Sequence, residues 1–110
     1  MQIIKATPEL SKREIYNMTR SPELEKMSDH VGQVLTVDKY VIYSDASEDG
    51  TETTVLSILT KDGFAVATNS ATARKEFEFI TDLMDGEEFA VKVIQGKSKA
   101  GRTYITLALA

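Results

Sequence analysis

Beyond residue 32 the chain divides into five short segments rich in β-branched and aromatic residues, with one helical pattern between the third and the fourth. The five segments are 33–43, 53–60, 64–69, 88–95 and 103–109. Such residues favour strands because their side chains pack well on a half-buried pleated surface. Short strands separated by turns predict a mainly antiparallel sheet, so this order constrains the fold more than any other feature.

The helical pattern covers residues 71–84 and has one apolar stripe. Its members are Ala73, Phe77, Ile80 and Met84, at intervals of four, three and four, with Leu83 beside them. These intervals bring the side chains onto one face of a helix. We therefore expect a helix over 71–84 that buries Phe77 in the core.

Three strands, a helix and two further strands follow the order of the OB-fold, a five-stranded Greek-key β-barrel. We predict a mainly β chain in which residues 32–110 form such a barrel, with the helix between strands 3 and 4. Ligands of this fold usually lie across its second and third strands, between two loops that correspond here to 44–52 and 96–102. Because one fold serves many functions, the site needs its own argument.

Residues 1–31 contain two signals for the start of a helix. Ser11 and Glu14 have the spacing of a capping box, and Ser21-Pro22-Glu23 combines a capping serine with a proline and an acid in the first turn. We predict a short helical N-terminal arm with two helices. Its apolar residues are expected to dock on the barrel: Ile15, Tyr16, Met18, Leu24 and Met27.

Charge is distributed unevenly along the chain. The 13 basic and 17 acidic residues give a net charge of −4, which by itself argues against an anionic partner. However, residues 45–52 contain four acids and no base, whereas residues 89–110 contain no acid and four bases, Lys92, Lys97, Lys99 and Arg102. Local charge governs what a surface attracts, so the C-terminal hairpin is a candidate site for a polyanion.

The loop 96–102 combines cations with small residues that let a phosphate chain approach. Pairing centred on Lys99 would place Ile94 opposite Tyr104 and Lys92 diagonally from that ring. Cations beside an aromatic ring suit the phosphates and stacked bases of a single strand. The site residues predicted from this hairpin are Lys92, Lys97, Lys99, Arg102 and Tyr104.

Five further residues have two interpretations each. Tyr40, Tyr43 and Phe64 are either stacking platforms or core residues. Lys39 and Lys61 either extend the basic track or discourage strand-to-strand aggregation as edge charges. The acidic loop 44–52 could repel nucleic acid from one edge, mimic phosphate in the groove or keep the protein soluble, and we favour solubility.

Several function classes have no support in the sequence. The chain has no cysteine, one histidine (His30), no Gly-rich phosphate loop and no nucleophile–base spacing. We therefore expect no enzyme activity, no cofactor and no metal. The N-terminus has no basic start followed by an apolar stretch, and no apolar run approaches the roughly 20 residues of a membrane span, which predicts a cytoplasmic protein without a membrane partner.

Two stretches, VGQVLTVDKYVIYSD and GKSKAGRTYITLAL, together with KREIYNMTRSPE near the N-terminus, carry a family resemblance. The chain resembles the small single-stranded DNA-binding proteins encoded by bacteriophages of Gram-positive bacteria, over about residues 31–110. This resemblance implies an OB-fold that coats single-stranded DNA during replication or recombination in the host cytoplasm. It also implies self-association into a homo-oligomer.

A second interpretation belongs to a different class. An OB-like barrel can be a non-enzymatic interaction module that recruits replication proteins through its N-terminal helices or an edge strand. That interpretation predicts no affinity for oligonucleotides, whereas a DNA-binding protein should bind them in a salt-dependent way.

Overall fold

A computed structural model describes residues 1–110 and contains seven strands, two α-helices and one 3₁₀-helix. The strands are β1 Gln2–Ala6, β2 Glu25–Lys26, β3 Val34–Ala46, β4 Glu52–Thr60, β5 Ala65–Thr68, β6 Ala90–Lys97 and β7 Thr103–Leu109. The α-helices are α1 Lys12–Thr19 and α2 Ala71–Met84, and the 3₁₀-helix is Met27–His30. The five predicted strands correspond to β3 to β7, and the predicted helix is α2.

The strands form a curled sheet in the order β2-β5-β4-β3-β6-β7, and β1 pairs with β3 on the edge opposite β4. The long β3 belongs to both halves of the sheet, because residues 34–36 pair with β6 while the rest of the strand pairs with β4. No ladder joins β5 to β7, so the curl is a half-barrel with an open side. The predicted mainly β, OB-like architecture is confirmed.

The helix α2 fills the inside of this curl. Ala73, Phe77 and Ile80 are almost fully buried and belong to the main core, whereas Leu83 is 62% exposed and lies off the stripe. Ser70 caps the helix by accepting from the amide of Ala73 at 3.2 Å. Its hydroxyl also donates to the carbonyl of Ile105 in β7 at 2.6 Å, which ties the start of α2 to the open side of the half-barrel.

The prediction for the N-terminal arm, residues 1–31, is correct for its first helix and wrong for its second. Ser11 and Glu14 form the predicted capping box at the start of α1. After Ser21 the chain forms a turn, the short β2 and the 3₁₀-helix instead of an α-helix. Leu24 packs in a cluster on the outer face of the sheet, while Met27 is buried in the main core on the inner face. A helix would place these two residues on one face, so the chain between them is extended.

The arm covers the outer face of β3, β4 and β5. Along β3 the alternation sends Ile42 into the main core and its neighbours Val41 and Tyr43 outward, where they pack with Met18 of α1. This outer face is where ligands of OB-folds usually lie. One arm residue expected to dock does not, because Tyr16 is 54% exposed.

In the C-terminal hairpin the side chains point to the predicted faces, but the two strands pair in a different register from the predicted one. Val93 pairs with Leu107, and Gly96 rather than Ile94 lies opposite Tyr104. The turn is centred on Ala100, with Gly101 at a φ of 81°, instead of on Lys99. The difference is a shift of two residues in each pairing, which preserves the alternation, so Val91, Val93 and Leu107 still face the core.

Candidate nucleic-acid interface

The tip of the β6–β7 hairpin carries three exposed cations, Lys97, Lys99 and Arg102, and none of them takes part in an ion pair. The backbone of the tip is fixed by its own hydrogen bonds. Ser98 donates its amide to the carbonyl of Arg102 at 2.8 Å, and Gly101 donates its amide to the carbonyl of Ser98 at 2.9 Å. The loop therefore holds three cations close together with their charges available to an anion.

Lys39 and Lys61, the two other predicted cations, lie in a different electrostatic setting. The Lys39 ammonium is 2.6 Å from a carboxylate oxygen of Glu14, and that of Lys61 is 2.6 Å from one of Glu88. The hydrogen bond to the carboxylate raises the pKa of each lysine. Both cations are already partnered, and the structure does not bring them together with the hairpin tip.

Tyr104 is the predicted aromatic residue that lies beside the tip. Its ring lies across the β6 backbone at Gly96, where a Cβ atom would be only 2.6 Å from the ring carbon Cζ. Gly96 has an ordinary φ, so the close approach of the ring is what requires a glycine here. The Tyr104 side chain is held against one strand and remains 38% exposed, which suits a stacking platform.

The two-residue shift in register changes the predicted place of Lys92. Lys92 pairs with Ala108 and shares a face with Gly96, four residues further along β6. At about 3.3 Å per residue this separates Lys92 from the Tyr104 pair by about 13 Å. The expected diagonal contact between Lys92 and Tyr104 is therefore wrong, although Lys92 remains exposed on the same face.

A groove of about 640 Å³ opens beside Tyr104, on the side where β5 and β7 are unpaired. Its walls come from the end of β5 and the start of α2 on one side and from β6 and β7 on the other. Ala67, Gln95 and Tyr104 line these walls, Val55 lies at the outer-face end, and Lys26 adds a further cation. The groove combines an exposed ring with polar side chains and lies next in sequence to the cationic tip, an arrangement that suits a base and its phosphate.

Of the remaining predicted aromatic residues, Tyr43 is buried, and Tyr40 and Phe64 are half-buried and pack against the core. Tyr43 is only 5% exposed, and this burial raises the pKa of its hydroxyl. Tyr40 packs edge-to-face on Phe77 with ring centroids 5.0 Å apart. Phe64 stacks on His30 at 5.5 Å, with an interplanar angle of 17°. The structure thus brings none of these three rings together with Tyr104 at the groove.

Sequence reasoning missed Lys26 and Gln95 as groove residues. Lys26 belongs to β2, whose parallel pairing with β5 brings it from the arm to the groove. Local patterns gave no signal for a two-residue strand. Gln95 lies on the same face of β6 as Val93 in either register, and it becomes a groove residue only because β5 and β7 are unpaired.

Two of the four acids in residues 45–52, Asp45 and Asp49, have partners within the protein. Asp45 contacts the N-terminal ammonium at 3.7 Å and the Arg20 guanidinium at 3.4 Å. Asp49 accepts from the hydroxyl of Ser47 and from the amide of Thr51, and these bonds lower its pKa to about 2.

His, Asp and Glu side chains form no group of three that could hold a metal ion. No helix has the length and apolar character needed to cross a membrane.

The half-barrel defines an OB-like protein, and its open groove and adjacent cationic tip are features that single-strand-binding members of this fold use. A family model described as phage single-stranded DNA-binding protein matches residues 2–110. The chain belongs to this Phi29-type family, which confirms the resemblance seen in the sequence. No curated protein and no solved structure gave a significant match.

Proposed function

We propose that the protein binds single-stranded DNA without sequence preference and that the hairpin tip, Tyr104 and the adjacent groove form the binding site. The observation that carries this proposal is a hairpin tip with three unpaired cations, Lys97, Lys99 and Arg102, directly followed along β7 by the groove-lining residues Thr103 and Tyr104. Membership of the family supports single-stranded DNA as the ligand.

Two forces would act in this site. A base stacks on the Tyr104 ring, a contact that contributes about 1–3 kcal/mol without depending on base identity. The cations of the tip neutralise phosphates and release counterions, which adds a salt-dependent contribution. A base paired in a duplex has its faces covered by its neighbours, so the stacking contribution favours a single strand.

The biological role that we propose is protective. Copies of the protein coat single-stranded intermediates of replication or recombination in the cytoplasm of the host cell, and they act by binding rather than by catalysis. Lys92 and Lys26 extend the cationic surface from the tip, and we place both in the proposed interface with a smaller contribution than the tip residues.

The direct test changes Lys97, Lys99 and Arg102 together to Ala and titrates oligo-dT at several salt concentrations. Each neutralised phosphate contributes about 0.7 to the slope of log K against log salt for a single strand, so the slope should become shallower by about 2. Affinity at low salt should fall at least about 100-fold.

A matched control removes the same charge from cations that are already partnered: Lys5→Ala, Lys39→Ala and Lys61→Ala, whose ammonium groups pair with Asp82, Glu14 and Glu88. This triple variant should bind much more like the wild type than the tip variant does. An equal loss in both variants would mean that net charge, not the tip, determines affinity.

The alternative is an interaction module of a replication complex, and one observation favours it. Phe79 and Leu83 lie one turn apart on α2 and are 63% and 62% exposed, which is unusual for large apolar side chains. The same titration separates the two functions. An interaction module predicts no measurable oligonucleotide affinity for the wild-type protein even at low salt.

A further inference from the structure

The exposed face of α1 carries an aromatic residue surrounded by cations. Tyr16 is 54% exposed, and the residues three and four positions away, which are its neighbours on the helix surface, are Lys12, Arg13, Thr19 and Arg20. Three of the four are basic and none is acidic. In a chain of net charge −4 this is a locally positive surface with a ring at its centre.

The single acid of α1 points elsewhere. Glu14 accepts from the amide of Ser11 and from the ammonium of Lys39, and its pKa is lowered to about 2, chiefly by the bond to Lys39. Lys12 and Arg13 have no ion pair, whereas Arg20 is paired with Asp45. Lys12 and Arg13 are therefore the two cations beside Tyr16 that are available to an external anion.

A comparison with α2 shows that exposure of a ring alone does not produce this arrangement. Phe79 is 63% exposed, but its neighbours three and four positions away are Lys75, Glu76, Asp82 and Leu83. Two acids and one base make that surface unfavourable for a polyanion. Of the two helices, only α1 pairs an exposed ring with positive charge, as single-strand binders do.

The C-terminal end of α1 is connected to the groove region through the outer face of the sheet. Val55 lines the groove and also packs against the outer-face cluster beneath Met18 of α1. Arg20 contacts Asp45, which pairs with Thr53, about 7 Å from Val55 along β4. A strand that leaves the groove past Val55 therefore meets the end of α1, with Tyr16 one helical turn further on.

We propose that Tyr16, Lys12 and Arg13 form a second contact for single-stranded DNA that extends the groove onto the N-terminal arm. This inference rests on the proposed function and adds a direction for the bound strand, from the hairpin tip across the groove to α1. A base stacks on Tyr16, and the two cations contact the phosphates beside it. In this arrangement the arm covers the usual outer-face site and replaces it with a surface of its own.

The test compares Tyr16→Ala with the wild type on a short and a long oligo-dT, of about 5 and about 15 nucleotides, within the range of site sizes known for OB-folds. Loss of one stacked base should weaken binding of the long oligonucleotide about tenfold and leave the short one unchanged. Because the Tyr16 side chain is mostly exposed, its removal should not alter the unfolding temperature appreciably.

Two variants act as controls. Tyr16→Phe keeps a ring and should bind like the wild type. Phe79→Ala removes an exposed ring from the other helix and should leave the affinities for the short and the long oligonucleotide unchanged. Tyrosine fluorescence gives an independent measurement, since the chain has no tryptophan and four tyrosines, of which Tyr16 and Tyr104 are exposed. In Tyr104→Ala the long oligonucleotide should still quench the emission of Tyr16.

Wild-type binding of both oligonucleotides by Tyr16→Ala would overturn this inference and leave the proposed function intact. An equal loss on both lengths would also overturn it, because Tyr16 would then act through the fold or the hairpin site. If the wild type binds neither oligonucleotide, the proposed function itself fails.

Discussion

The two hairpin loops that flank the binding region of an OB-fold are built alike here and charged oppositely. Residues 47–51, Ser-Glu-Asp-Gly-Thr, join β3 to β4, and residues 98–102, Ser-Lys-Ala-Gly-Arg, join β6 to β7. In both loops the serine amide donates to the carbonyl of the fifth residue, and the glycine amide donates to the serine carbonyl. Gly50 and Gly101 have φ values of 86° and 81°, which glycine adopts without strain.

The difference between the loops lies in what their charged groups do. Asp49 is held by hydrogen bonds inside its own loop, and nearby Asp45 is paired with Arg20. Lys99 and Arg102, in the second loop, have no ionic partner. The same backbone hydrogen bonds close both turns. The charges of the loop side chains can therefore differ without changing the turn. Glu48 occupies the position of Lys99 and has no ion pair either, so the sign of the exposed charge is what distinguishes the two loops.

The largest effect should come from building the acidic loop into the basic hairpin, with Lys99→Glu, Ala100→Asp and Arg102→Thr. Because the serine and the left-handed glycine remain in place, the hairpin should fold with an unfolding temperature close to that of the wild type. Binding of oligo-dT at low salt should fall at least about 100-fold, since two phosphate contacts are lost and two acids are added. Fluorescence titration and thermal unfolding measure the two quantities.

A neutral loop, Lys99→Ser with Arg102→Thr, is the matched control for that variant. It removes the two cations without adding acids, so its affinity should lie between those of the wild type and the acidic variant. If the acidic variant still binds oligo-dT, the binding site does not include the hairpin loop, and the conclusion drawn from comparing the two loops is wrong.

A smaller effect is expected from Gly96→Ala, which changes no charge. The added methyl group would meet the Tyr104 ring, so the ring must swing away from β6. Alanine is also better than glycine within a strand, so the net change in stability should stay within about 1 kcal/mol. Oligo-dT affinity should fall about tenfold, as expected when one stacked base is lost.

A double-mutant cycle identifies the cause of that loss. Gly96→Ala should weaken binding in the wild-type background and have no further effect in Tyr104→Ala, because the ring that the methyl group displaces is then absent. Additive losses would show that Gly96 contributes to binding through the backbone instead of through Tyr104.

Much of this fold is predictable because the signals are local. The order of β3 to β7, the apolar stripe of α2 and the capping box of α1 depend on residues close together in the sequence. The predicted hairpin register is wrong by two residues because it takes the middle lysine, Lys99, as the centre of the turn. The spacing of serine and glycine, repeated in both loops, would have placed Gly101 at the left-handed position and corrected the register.

The candidate site was predictable only where a residue needs no distant partner. The exposed loop cations follow from sequence, but the state of Lys39 depends on Glu14, which is 25 residues away. The same limit applies to the tyrosines. Tyr43 is buried because α1 packs over it, and Tyr16 is exposed because Met18 is the α1 residue that packs there. Local patterns contain no information on which face of the sheet the arm covers.

The smallest effect that we predict concerns the acidic loop and follows from its hydrogen bonds. The Ser47 hydroxyl and the Thr51 amide lower the pKa of Asp49 to about 2, so the ionised form stabilises the folded loop. A lowered pKa contributes stability above the pKa of the unfolded chain, near 3.9, and loses it as the pH falls through about 2. Asp49→Asn should therefore lower the unfolding temperature at pH 7, and this difference should diminish towards pH 2.

Because Asp49 is exposed, the change at pH 7 should be no more than about 4 °C. Asp62→Asn is the matched control, since Asp62 lies in the exposed β4–β5 turn and its carboxylate makes no hydrogen bond or ion pair in the structure. Thermal unfolding from pH 2 to pH 7 should show a pH-dependent difference for the first variant and a much smaller one for the second. Oligo-dT affinity should be unaffected by Asp49→Asn, because this carboxylate stabilises its own loop. A marked gain in affinity would instead mean that the acidic loop repels the bound strand.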